Sequence, residues 1–302
     1  MSEVKPVFSS ENILSWLGYY AKMLDTSPEK FMLLNICGKE RNVIPAIRTH
    51  KRVMVFADGE HEDIFYEFWI AGLGEYDIWY SEGLEPTQQP VHTKIKNLIN
   101  VKLKAPTVFL VMNENTRESY QIGIKNENFT RGSVRYVGNE IRAVIMSMLE
   151  IDSNDTICIV SGESIVIESA MAASYGNIIA VEYHEDDQDT MEQNIEQFGV
   201  RNVQIVPDLS KESLDSMPVP RLAFIVATNK LEEEIQSLLL KNPKMKFVIY
   251  TLELDILSSI KSIFKIYNIQ NMEVTQIAVS KINKNSVFVA QPSPWLITGE
   301  AE

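Results

Sequence analysis

From residue 156 onward the chain repeats one unit, a short run rich in β-branched residues followed by a stretch of helical periodicity. The strand-like runs are 156–161, 178–182, 203–207, 222–227 and 246–250. The helical stretches fall at 164–174, 186–198, 230–241 and 253–268. A further helix over Asn139–Leu149 precedes the first run. Strands alternating with helices specify an α/β layer built on a mostly parallel sheet. After the last helix, 273–280 and 286–291 flank the turn-like Asn283-Lys284-Asn285 and predict an antiparallel hairpin at the sheet edge.

The first part of the chain also reads as α/β, on a smaller scale. Ser9 or Ser10 caps a predicted helix whose apolar face is Ile13, Leu14, Trp16, Leu17 and Tyr20. Strands are expected at 31–36, 52–57, 76–80 and 107–112, and a helix over 61–72, closed by Gly72. Phe65, Trp69 and Trp79 are expected in its core. A polar stretch from Asn113 to Tyr136 contains Gly123 and Gly132 and marks the join. The expected division is a domain over 1–125, a linker over 126–138 and a second domain over 139–302.

Charge and cysteine usage narrow the function classes. The formal net charge is -13, which argues against nucleic acid as a main partner, because phosphate binding needs clustered Lys and Arg. No apolar run approaches the roughly 20 residues that cross a bilayer, and the N-terminus lacks the layout of a signal peptide. The two cysteines, Cys37 and Cys158, lie far apart inside apolar runs and read as free thiols, which suits a reducing cytoplasm. No His, Cys and carboxylate spacing suggests a metal site, and there is no phosphate loop or nucleophile elbow.

In a doubly wound sheet the ligand lies beyond the carboxyl ends of the strands. The first such turn is Ser161-Gly162-Glu163-Ser164, where glycine lets backbone approach a ligand and the helix start offers free N–H groups. A plain tight connection would look the same. Glu182 ends the second strand, 20 residues after Gly162, where an acid accepts hydrogen bonds from both ribose hydroxyls of a nucleoside cofactor. A solvated strand-end charge also fits. Asp208 follows the third strand and either faces an adenine amino group or caps the helix starting near Ser210. His184 sits among Glu185, Asp186 and Asp187, in an expected solvent-facing loop.

Several segments together resemble one family. Glu140-Ile141-Arg142-Ala143, the run Ser164 to Ala170, Ala180-Val181-Glu182, Asn194, Phe198-Gly199-Val200 and Asn202-Val203 are similar to the decarboxylating precorrin-6Y methyltransferases of cobalamin biosynthesis. The tail agrees, through Thr251-Leu252-Glu253, Val274 to Ser280 and Trp295 to Gly299. Phe8-Ser9-Ser10, Val55 to Gly59 and Ala71 to Gly74 resemble the rear half of a tetrapyrrole methylase, and Phe129 to Gly132 the join between two such modules. The resemblance implies a Rossmann-like domain dependent on S-adenosylmethionine, a corrinoid or tetrapyrrole-like substrate, and a homo-oligomer. It places Gly162, Glu163 and Ser164 at the methionine end, Glu182 at the ribose, Asp208 at the adenine, and Thr228 and Asn229 on the substrate side.

The departures are as informative. The family's first loop follows a D-x-G-x-G-x-G-like pattern, whereas residues 157–164 have no acid at the strand end and keep only Gly162. Arg135-Tyr136-Val137-Gly138 stands where the family has a Pro-Met-Thr-Lys-like stretch, and Val226-Ala227-Thr228-Asn229 where it has a glycine-serine-glycine cluster. Three readings stay open: a methyltransferase, a non-catalytic binding or scaffold relative, and an enzyme turned to another small molecule.

Overall fold

The computed structural model describes residues 7–104, 106–116, 122–132 and 137–301. The chain divides into two compact units, Met1–Tyr120 with Glu196–Arg201, and Gln121–Ile195 with Asn202–Glu302.

In the first unit, helix α1 (Ser10–Met23) starts at Ser9, whose hydroxyl accepts from the Asn12 N–H while the Asn12 side chain accepts from the Ser9 N–H. This reciprocal cap satisfies two of the donors that a helix start leaves free. Trp16 and Tyr20 are buried, but Leu14 faces outward at 65% exposure, so the apolar face is narrower than expected. Then come β1 (Met32–Asn35), α2 (Val43–Thr49), β2 (Arg52–Ala57), α3 (Ile64–Phe68), β3 (Asp77–Glu82), β4 (Val91–Lys94) and β5 (Thr107–Met112). The sheet order is β1-β2-β5-β3-β4, with only β1 and β2 parallel. The helix read over 61–72 is short, and a wider turn over Trp69–Leu73 follows it, with Gly72 at φ 80. Phe65 is buried as expected, whereas Trp69 is left 45% exposed by that turn.

The second unit begins with a segment from Ile122 and continues with α4 (Asn139–Leu149), β6 (Thr156–Val160), α5 (Glu163–Ala172), β7 (Asn177–Val181), α6 (Glu185–Phe198) and β8 (Val203–Val206). After these come α7 (Lys211–Asp215), β9 (Leu222–Val226), α8 (Leu231–Lys241), β10 (Lys246–Thr251), α9 (Leu254–Ile266), β11 (Ile269–Gln276), β12 (Ser280–Ile282), β13 (Phe288–Ala290) and β14 (Trp295–Ala301). The seven-stranded sheet runs β11-β14-β10-β9-β6-β7-β8. Its five central and outer strands are parallel, and β14 enters antiparallel between β10 and β11. Alternation along each strand divides the core. Cys158, Val160, Ile179, Val181, Ile225 and Ile249 pack with Ile235 and Leu238 of α8 and Ile260 and Phe264 of α9.

The closing antiparallel pair differs in detail from the reading of 273–280 against 286–291. The base strands are β11 and β14; β12 and β13 form a separate two-stranded ribbon beyond them. β11 starts four residues earlier than read because Asn268 and Asn271 take left-handed φ of 53° and the register shifts between Gln270 and Glu273. That irregularity breaks the alternation that sequence reading relies on.

The stretch expected to be a linker packs on the second unit where it is described. Ile124, Phe129 and Val137 are buried. Glu168 on α5 accepts the N–H groups of Gly123 and Ile124 at 3.0 and 2.9 Å, and Arg142 Nε at 2.5 Å. Arg142 donates to the carbonyls of Val137 and Ile124 and sits 4.9 Å from the centre of the Phe129 ring. Both side chains are fully buried. Removing one member of such a pair strands the other charge in a dry interior, so Glu168→Ala should cost about 3–5 kcal/mol. An unfolding free energy, from denaturant titration, lowered by less than a third of that would show the pair to be dispensable.

Candidate functional site

Strand order reverses between β6 and β9, since β6 is followed in the chain by β7 on one side and β9 lies on the other. The crevice at the carboxyl ends there is where this class of sheet binds ligands. The turn from β6 to α5 is built from Ser161, with φ at 55°, and Gly162, which precedes the first residue of α5. Left-handed backbone at a residue with a Cβ is strained, and Ser161 occupies a conformation that suits glycine.

Of the two readings of Gly162, the plain tight connection has a packing reason of its own. A Cβ built there would lie 2.7 Å from Ile159 Cγ2 and 3.1 Å from Phe224 Cε1, so the missing side chain points into the core. Glycine at this place is required by packing of the turn onto β6 and β9, with or without a ligand.

Glu163 and Glu182 are brought together. Glu163 opens α5, Glu182 follows β7, and the two strands are parallel neighbours. Glu163 is 4% exposed and Glu182 1%. Glu163 makes no well-formed hydrogen bond, although the Gly132 N–H faces it, and Glu182 Oε1 has no partner. Asp187, in the first turn of α6, is fully buried beside them. Its Oδ1 and Glu163 Oε1 converge on Gly132, each within 2.7 Å of a Cβ built there.

Burial first, then the Asp187 charge, pushes Glu163 up to about 7, with the nearby Gly132 N–H giving slight relief. Burial, then Glu163 and Asp187, push Glu182 up to about 8, against a small opposing effect of the Gly162 N–H. Dry carboxylates crowded by like charge hold their protons.

The other expected site residues lie at the same sheet edge with different engagements. Ser164 is buried in the first turn of α5. Asp208 is half-buried, and its Oδ1 accepts from the Ser210 N–H at 2.9 Å and the Ser213 hydroxyl at 2.6 Å, bonds that hold its carboxyl below the usual range. Ser210, not Asp208, caps α7. Thr228 and Asn229 are exposed, with Thr228 Oγ1 accepting the Lys230 N–H at 3.2 Å. His184 is exposed as expected.

Sequence reading missed a second cluster. Tyr183 donates to Glu234 Oε1 at 2.8 Å, and Lys230 Nζ lies 4.1 Å from the centre of its ring. Cys158 is buried on the same side of β6, and burial pushes its thiol up to about 12, which leaves it inert at neutral pH. No group of three His, Cys, Asp or Glu among the described residues is arranged to hold a metal ion, and no described helix is long and apolar enough to cross a membrane.

A seven-stranded sheet in this order, with one antiparallel strand inserted next to the edge, is the Rossmann-like fold of S-adenosylmethionine-dependent methyltransferases. The family described as the precorrin methyltransferase domain matches residues 132–291, more than half of the chain, and the chain belongs to it. A comparison with curated proteins finds no match. Among solved structures, a precorrin-6Y C5,15-methyltransferase from Geobacter metallireducens is 26% identical, with 60% of this chain and 97% of that chain covered and a TM-score of 0.55. A precorrin-8W decarboxylase from Methanobacterium thermoautotrophicum is 20% identical over 58% of this chain and 98% of that one, at a TM-score of 0.52. The C-terminal domain of a precorrin-6Y C5,15-methyltransferase from Rhodobacter capsulatus is 18% identical over 60% and 99%, at 0.50.

The paired acids set the pH dependence of stability. Above the ordinary Glu value of 4.5 the unfolded chain gives up both protons, while the folded chain keeps them until about pH 7 to 8. The folded state therefore binds more protons in this window, and stability falls as pH rises through it. The melting temperature of the wild type should drop from pH 5.5 to pH 9, and Glu163→Gln or Glu182→Gln should flatten that drop. Equal slopes in all three proteins would remove the assignment.

Proposed function

We propose that the second unit binds the adenosine part of S-adenosylmethionine and positions it for methyl transfer to a corrinoid precursor or a related small molecule. The observation that carries this reading is the buried Glu182 carboxylate at the end of β7, with one oxygen lacking any partner in the protein. An acceptor in that state is completed by a pair of hydroxyl donors such as a ribose diol. The family membership supports the same reading.

S-adenosylmethionine, when bound, supplies a methyl group on a sulfonium, whose departure provides the driving force. The protein's part is alignment and exclusion of water. Glu182 holds the ribose, and the start of α5 lies at the 5′ end. Thr228 and Asn229, exposed at the mouth, stand where an acceptor would contact the protein. Asp208 spends Oδ1 on the Ser210 N–H and the Ser213 hydroxyl, so an adenine amino group would be left with its other oxygen.

A second reading, binding without turnover, is favoured by one observation: a buried glutamate follows Gly162 in the cofactor turn, where the family pattern is rich in glycine. Calorimetry with S-adenosylmethionine and with 5′-methylthioadenosine addresses the first reading. Binding of either, weakened at least tenfold in Glu182→Gln, is expected. Absence of heat and of any thermal shift from both at millimolar concentration would end it. Binding without transfer of labelled methyl to any precorrin-type acceptor would leave the second reading.

The reading extends to a homo-oligomer joined through the second unit. The ribbon β12–β13 exposes Ile282, Val287, Phe288 and Val289 at 48–72%. Its strands carry free edges of the kind that pair with another copy. Light scattering on the purified chain should give a multiple of the protomer mass, and Phe288→Glu should lower it; a monomer in both proteins would refute the extension.

A further inference from the structure

Glu182 carries the nucleoside reading, yet it is sealed from solvent, and the acids that crowd it, Glu163 and Asp187, lie under a strap of chain. The strap is 129–132. Gly132 lies so close that a Cβ built on it would come within 2.5 Å of Glu163 Oε1, 2.7 Å of Asp187 Oδ1 and 3.3 Å of Thr190 Oγ1. Thr130 is tied to α6 by a pair of bonds with the buried Asn194 side chain. Its N–H donates to Asn194 Oδ1 at 2.9 Å, and its carbonyl accepts from Asn194 Nδ2 at 3.0 Å. A ribose diol has no route to Glu182 Oε1 while these contacts hold.

The two ends of this segment are held with unequal strength. Upstream, the Gly123 and Ile124 N–H groups donate to Glu168, a buried carboxylate that also holds Arg142. Bonds to an ionised acceptor are roughly twice as strong as neutral ones. Downstream, the tie through Asn194 is neutral, and closure leaves Glu182 Oε1 without a donor and Glu163 without a well-formed bond. The docked strap therefore gains two neutral bonds and forfeits the hydration of two acids, opposing effects of similar size. A ligand that donates to Glu182 only when the strap is lifted shifts such a balance.

We propose that residues 129–132 form an autoinhibitory strap. Docked as in this structure they shut the Glu182 site, and a nucleoside enters only after Thr130 and Gly132 lift from α6 and α5, with the segment still anchored at Ile124. This rests on the nucleoside-binding reading above.

Amide hydrogen exchange and binding of 5′-methylthioadenosine test the strap together. In the wild type, saturating 5′-methylthioadenosine should speed exchange of the Thr130 amide at least tenfold and leave the Gly123 and Ile124 amides unchanged. Asn194→Ala and Gly132→Val, each checked for folding by its melting curve, loosen the strap without altering Glu182. Both should bind 5′-methylthioadenosine at least threefold more tightly than the wild type and associate faster in stopped flow, because more molecules are open. The exchange measurement decides the matter alone if neither variant folds. Slower exchange at Thr130 with the nucleoside bound, or weaker binding by both variants, would make the strap a wall of the occupied site. Either result would overturn the inference and leave the nucleoside reading intact, as would unchanged exchange or unchanged affinity in both variants. Silence from the wild type and both variants would overturn the two readings together.

Discussion

The buried pair of Arg142 and Glu168 is the constraint on which the second unit depends. Glu168 lies in the middle of α5, and its two oxygens are shared among Arg142 and the N–H groups of Gly123 and Ile124. One side chain therefore fixes the position of α5 against α4 and secures the entering segment. The start of the same helix, five residues earlier, carries Glu163. A charge pair of this kind contributes little net stability over an apolar core, but it tolerates no partial loss. The consequence is a rigid platform on which the position of Glu163 is set by a network that has no contact with any ligand.

That rigidity explains how three acids can stay together. Glu163, Glu182 and Asp187 come from the beginnings and ends of α5, β7 and α6, elements whose backbones are fixed by the parallel ladder and by buried helix faces. None can swing into solvent without opening that packing. The repulsion on Glu163 and Glu182 is relieved by those two holding protons, which displaces the cost into a loss of stability at higher pH. Groups held in this state are typical of sites that complete themselves with a ligand, although buried structural acids do the same. What separates the two is the partnerless oxygen of Glu182, because a structural acid is normally hydrogen-bonded.

Most of the α/β framework was legible from residues alone, since strand runs such as 52–57 and 107–112 and the helix over 139–149 are short, apolar and well bounded. Glu182 was legible as well, by its place after an apolar run. Asp187 was not, because Glu185-Asp186-Asp187 reads as a solvated charge run. Its signal was positional: Asp187, Thr190, Met191 and Asn194 are all buried, at the spacing of one helix face. Hydrophobicity hides such a stripe because three of its four members are polar. The tie from Tyr183 to Glu234 had no signal at all, since 51 residues separate the partners and only the sheet brings them together.

Gly162 shows why resemblance to a motif needs a physical reason before it supports a function. A glycine in the first turn of this fold invites the explanation that backbone must approach a cofactor. Here the vacant Cβ position faces Ile159 and Phe224, so core packing alone demands glycine. The residue would be kept in a chain that had lost its cofactor entirely, and its presence does not discriminate between an enzyme and a binding protein. Ser161 is informative in the opposite direction, because it holds a left-handed backbone at a cost that glycine would avoid. Glu163 and Glu182 are informative because nothing in the surrounding packing requires a carboxylate at either place, and burying two of them is unfavourable. The functional case therefore rests on the residues that the fold does not need.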